Sequence, residues 1–196
     1  MRTQYWILAL FAAVALPAAA AHATATIDVG TWNLDVDTVS GIQIVVQNGG
    51  AIEGMDLRAQ IGEGTAGPIF VGVDYTGSIW DGQSFLSAVD PVDPGNNRWF
   101  NDGLALFAGT VTADGLLGTL LVDTTGLSVG QSFSLRLDEP FGGTALIIDA
   151  NTNHALQLTN GTINIVPEPA SLVLLGAGTL VLLRRRVACA SSSRSG

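Results

Sequence analysis

Apolar and polar residues alternate along two early stretches of the chain. Trp32, Leu34 and Val36 interleave with Asn33, Asp35 and Asp37, and Met55, Leu57, Ala59 and Ile61 with Asp56, Arg58 and Gln60. A period of two with one wetted face marks a strand of an antiparallel sheet packed on one side, and it places Trp32 in the core. Further apolar runs predict strands over 42–46, 69–74, 104–111, 116–123, 133–137, 145–149 and 162–166. Asn48-Gly49-Gly50, the stretch from Gly62 to Gly67, Asp114-Gly115, Gly142-Gly143 and Asn160-Gly161 punctuate them with the residue types that turns require. About nine short strands at this spacing, with no long amphipathic helix, predict an all-β antiparallel sandwich over residues 24–166. The 81–101 segment breaks the rhythm. It holds Pro91 and Pro94 and predicts a short helix over 85–89 followed by a long loop.

The two ends follow other patterns. Arg2, an apolar stretch over 5–16, Pro17 and the small-residue exit Ala21-His22-Ala23 form a secretory signal helix, with cleavage expected after Ala23. At the other end Val166-Pro167-Glu168-Pro169 precedes an uncharged run from Ala170 to Leu183 and then Arg184, Arg185 and Arg186. Lipid forces such a run to satisfy its backbone internally, as a transmembrane helix. Fourteen residues reach roughly 21 Å against a hydrocarbon core of about 30 Å, a short span that thinning and arginine snorkelling can complete. The arginines stay inside, so the body faces away from the cytoplasm, anchored at the inner membrane. Residues 1–23, 24–166 and 167–196 are therefore read as signal peptide, ectodomain and sorting segment.

This tripartite ending resembles the PEP-CTERM sorting signal of exported bacterial proteins, with Val166 to Pro169 as its motif and Arg184 to Arg186 as its basic stop. The resemblance implies recognition by an exosortase, cleavage near the motif, and a cell-surface or extracellular destination in a bacterium that makes extracellular polysaccharide. The stretch from Val187 to Gly196 continues past the point where such signals usually end. The body is also similar to cohesin-like domains, a sandwich of jelly-roll type. The residues that carry this are Met55-Asp56-Leu57, Gly72-Val73-Asp74-Tyr75, Ala113 to Leu120 and Asn160 to Ile165. That likeness implies a face of one sheet that docks a protein partner.

Charge narrows the partners. Residues 24–166 carry 16 acidic side chains and 3 arginines, a formal charge of −13, and the chain has no lysine. Such a field repels nucleic acid and anionic membrane. The single cysteine, Cys189, lies beyond the arginines, so the body has no disulfide.

Catalytic chemistry finds few residues. His22 leaves with the signal peptide, and His154 is then the one imidazole, expected exposed in a hairpin loop. No G-x-S-x-G elbow occurs, and multi-histidine zinc sites and lysine nucleophiles are ruled out by count. A carboxylate pair for glycoside hydrolysis remains as a third reading behind two binding readings. The residue set points to no cofactor; the weak calcium candidates are Asp35 with Asp37 on one strand face, and Asp90 with Asp93 in the proline-rich loop. Sugar rings stack on aromatic faces beside amides, a composition found at Asn97, Trp99 and Phe100, with Trp80 as a second candidate. The reading is an exported, non-catalytic surface or matrix protein binding polysaccharide or a surface partner, with cohesin-type protein docking as the alternative.

Overall fold

Alternation decides which way each strand faces, and the resulting faces close on one another as two sheets. The computed structural model describes residues 24–64, 66–90, 98–138, 143–149 and 152–168, with side chains of 89 and 90 excepted. Every regular element among them is a strand. One sheet runs, in spatial order, β14 (Leu156–Thr159), β1 (Ala25–Asp28), β3 (Val39–Gln47), β10 (Gly115–Asp123) and β6 (Ile69–Asp74). The other runs β13 (Thr152–Asn153), β12 (Ala145–Asp149), β5 (Gly54–Ile61), β11 (Ser132–Arg136), β15 (Gly161–Val166) and β2 (Thr31–Asp35). On the opposite side of β5 lies β8 (Trp99–Leu106), and beyond it β7 (Phe85–Asp90). A short ribbon joins β4 (Ala51–Ile52) to β9 (Val111–Thr112).

The core lies between the sheets. Ile42, Ile44 and Val46 of β3, Leu57 and Ile61 of β5, Leu117, Leu120 and Val122 of β10 and Ile163 and Ile165 of β15 are all buried there. Each such side chain contributes about 1.5–3 kcal/mol by leaving water. The chain ends interlock: β1 pairs parallel with β14 and β2 parallel with β15, so the first two strands and the last two are shared between the sheets in the same way.

Several expectations are corrected. The segment expected as a helix over 85–89 is strand β7, paired antiparallel with β8 along its whole length. A short apolar run without helical spacing takes the strand state when a distant partner supplies the ladder. The strand expected over 104–111 starts earlier, at Trp99, and ends at Leu106. The described residues form fifteen strands; β4, β9 and β13 have two residues each, and β1 and β14 alternate apolar with polar but over only four residues, too short to stand out as strands. Trp32 sits half-buried at the rim of the core, its Nε1 donating to Val29 O at 2.7 Å. His154 is buried rather than exposed, its Nε2 accepting the Gly50 N–H at 3.0 Å.

The signal helix, the apolar run over 170–183, its basic stop and the loop residues Asp93 and Asn97 lie outside the described residues.

Candidate functional site

Four strands of the second sheet, β12, β5, β8 and β7, turn a face outward on which Leu86, Ala88 and Ala105 are exposed. On β5 and β8 the residues Leu57, Ala59, Phe100 and Leu104 point into the core, so their neighbours point out. Register then sets two rows across the strands. One row is Ala145, Asp56, Gly103 and Ala88, and the next is Ile147, Gly54, Ala105 and Leu86. Glycine and alanine at the centre leave a trough of about 440 Å³, lined among others by Asp56, Ala88, Asn101, Gly103, Ala105 and Ile147. Leu86 is 59% exposed on the outer strand, and Phe107, whose N–H extends the β7–β8 ladder to Ser84 O, is 72% exposed.

Polar groups in the trough are incompletely matched. Arg58 Nε donates to Asp56 Oδ2 at 2.9 Å, and a second guanidinium nitrogen reaches the same oxygen, so the arginine lies along its own strand. Asp56 Oδ1 and Asn101 Oδ1, on neighbouring strands, are shielded from water and have no hydrogen-bond partner. Each unmet acceptor costs about 1–3 kcal/mol.

Beneath the face a polar rivet ties the two sheets together. Asp102, on the inner side of β8, is fully buried. It accepts the Ser87 hydroxyl of β7 at 2.8 and 2.9 Å and the hydroxyl of Tyr75, which follows β6 in the other sheet. The Tyr75 ring meets Phe85 edge-on at 5.6 Å. Burial first, then the hydrogen bond to Asp102 and its charge, push the Tyr75 hydroxyl well above the ordinary tyrosine value of 10.0. The rivet links β7 and β8 to the end of β6.

Two of the rings singled out for sugar stacking face inward. Trp80 is fully buried, and Phe100 faces the core against Phe70 at 5.6 Å, so neither offers a ring to a sugar. Trp99 is half-buried opposite Gln60, its indole against Gly64, where an added Cβ would lie 1.8 Å from Trp99 Nε1. Of the calcium candidates, Asp35 and Asp37 do not share a strand face. Asp35 ends β2, whereas Asp37 lies past the strand at φ 55° with its Oδ1 accepting the Gly126 N–H at 2.8 Å. Asp90 ends β7 opposite Asn101. Among the described residues no three His, Cys, Asp or Glu side chains gather as a metal site. Asp56 and Asp102 were hidden among the 16 acidic residues of the body; the alternation Phe100, Asp102, Leu104 was the signal that places Asp102 inward.

Residues 166–187 match the PEP-CTERM protein-sorting motif, which implies export with a membrane-anchored C-terminus before processing. A comparison with curated proteins finds no match. Among solved structures, the body is similar to the third cohesin of ScaC from Acetivibrio cellulolyticus, in complex with the ScaB dockerin. The TM-score is 0.56 at 14% identity, over 73% of this chain and 99% of that one. It is similar also to the cohesin of the Coh-OlpC–Doc435 complex of Clostridium thermocellum (TM-score 0.56, 15% identity, 74% and 96% covered). A third similar structure is a non-cellulosomal cohesin from the hyperthermophilic archaeon Archaeoglobus fulgidus (0.53, 19%, 76% and 96%). At these identities the likeness is one of fold: a cohesin-like all-β sandwich.

Proposed function

We propose that this chain is an exported, non-catalytic docking module that receives a protein partner on the outer face of β12, β5, β8 and β7. The reading includes removal of residues 1–23 after Ala23, transient anchoring by 170–183 with Arg184 to Arg186 as stop, and recognition of Val166 to Pro169 by an exosortase. The body, residues 24–166, then acts at the cell surface or in the matrix. The observation that carries docking is the trough itself: a small-residue floor of Gly103, Ala105 and Ala88 with exposed Leu86 at its margin. Two of the cohesins similar in fold are named in complex with dockerins, which adds support for a protein as the occupant. The body's charge of −13 favours a partner with a neutral or basic contact surface.

The test immobilises the wild-type body and an Ala88→Arg variant, which fills the trough from an exposed edge-strand position. Envelope and secreted fractions of the source organism are passed over each, and affinities are measured for whatever protein is retained. A partner whose affinity falls about tenfold or more with Ala88→Arg supports the reading, since a long charged side chain in the trough blocks close packing against its floor. Trp99→Ala serves as the contrast. Saturable binding to a polysaccharide that Trp99→Ala weakens and Ala88→Arg leaves intact would overturn docking in favour of the glycan reading.

A further inference from the structure

We infer that the processing cut lies on the C-terminal side of Pro167, so that the mature body keeps β15 whole and ends at Pro167 or in the two residues after it. This rests on the export-and-processing reading above.

The sheet runs up to the sorting motif with no spacer. β15 lies between β11 and β2, and its last residues are bonded on both sides. Gly130 N–H donates to Ile165 O at 2.8 Å, Ile165 N–H to Gln131 O at 2.9 Å, and Val36 N–H to Val166 O at 3.1 Å. That last oxygen is the carbonyl of the Val166–Pro167 peptide bond itself, so the first bond of the motif is already engaged by the fold. A processing enzyme has to draw a few residues into an extended pose and polarise the scissile carbonyl with donors of its own. Upstream of Pro167 this would require stripping β15 from two neighbours and lifting Ile163 and Ile165 out of the core, where both are buried. Pro167 has no N–H, so the ladder stops there for a chemical reason. Val166 is the last strand residue, and the carbonyls of Pro167 and Glu168 are the first outside the strand.

The other limit comes from the apolar run. Ala170 is three residues past Pro167, which at full extension spans about 10 Å. The catalytic atoms of the enzyme therefore work at the membrane surface, with the pole of the sandwich that carries Val36, Gly126 and Gly130 against it. In the cut, the peptide C–N bond breaks and the tail nitrogen takes up a proton and leaves as an amine. The body's acyl carbon passes to water, giving a carboxylate, or to an amine acceptor, giving an amide.

Two experiments together decide it. The detergent-solubilised full-length chain is first treated with a nonspecific protease under native conditions, and the C-terminus of the resistant core is located by mass spectrometry. We expect no terminus upstream of Val166; a core trimmed into 161–165 overturns the geometric argument. The mature protein is then recovered from envelope and medium for the wild type and for a variant with Gly-Ser-Gly-Ser inserted between Val166 and Pro167. The expected wild-type terminus lies at Pro167, Glu168 or Pro169, and the variant's product is heavier by the four inserted residues. A wild-type terminus at or before Val166 overturns the boundary while leaving processing intact. An uncut tail in both proteins overturns the processing reading, and the boundary falls with it.

Discussion

Asp102 is the residue on which most of the local physics converges, and it makes Tyr75 measurable. A buried carboxylate without a cation survives by accepting hydroxyl bonds, here from Tyr75 and Ser87. Tyr75→Phe removes one donor and leaves the acceptor buried, which should cost about 1–3 kcal/mol in urea unfolding at neutral pH. The Tyr75 hydroxyl is raised in the folded state, so its contribution is complete below the unfolded value of about 10 and is lost as pH rises beyond it. The body contains no other tyrosine, because Tyr5 lies in the signal segment, and it has no lysine. Phenolate absorbance should therefore appear together with unfolding, not before it, and Tyr75→Phe should flatten the alkaline fall in stability. A phenolate signal developing near pH 10 in a still-folded body would mean that the hydroxyl is not held by Asp102.

Among elements, the strands legible in sequence were those whose alternation or apolar run extended over five or more residues. The alternation at 55–61 and the runs at 69–74 and 145–149 correspond to β5, β6 and β12 almost residue for residue. What stayed illegible depends on distant chain. β7 is a strand because β8 lies beside it, and β1 and β14 have only four residues each and pair in parallel across the length of the domain. The face formed by β12, β5, β8 and β7 was equally hidden, since its rows exist only once four strands are in register. The acids most relevant to it, Asp56 and Asp102, look like any other in a list of 16. The interlock of chain ends carries its own prediction. A Cβ on Gly161 would lie 2.4 Å from Gly30 O and 2.5 Å from Val29 Cγ1, both across the β1–β2 and β14–β15 turns. Because one of these is backbone, the turn has to move. Gly161→Ala should destabilise by about 1–3 kcal/mol, read as a lower urea midpoint at unchanged slope; a neutral result would mean that the two turns are not closely packed.

For the whole molecule, two charge effects oppose each other as pH falls, and salt separates them. Asp123 is held below the ordinary carboxylate value of 3.8 by the Thr125 hydroxyl first and its N–H second, and Asp74 by the Thr76 N–H first and its hydroxyl second. Depressed folded values mean that this stabilisation is present above 3.8 and disappears as pH drops through them, so it gives an acid-side loss. The formal charge of −13 acts the other way: protonating carboxylates relieves self-repulsion and favours the compact state. The two described ion pairs, Arg58 with Asp56 and Arg136 with Asp138, are partly exposed and offset little of that repulsion. Raising NaCl from about 0.01 M to about 1 M shortens the screening length from about 30 Å to about 3 Å. It removes the repulsion and leaves the short hydrogen bonds. At pH 7 the urea midpoint of the body should therefore rise with NaCl, and at high salt the acid-side loss should start sooner and be steeper, since nothing then compensates it. Asp123→Asn keeps a carbonyl acceptor for Thr125 but does not titrate, so it should shallow that high-salt slope without moving the pH 7 midpoint appreciably. If the pH 7 midpoint instead fell with salt, attraction between the arginines and their carboxylates would outweigh the net charge, and the acidic surface would have to be regarded as balanced locally despite its sum.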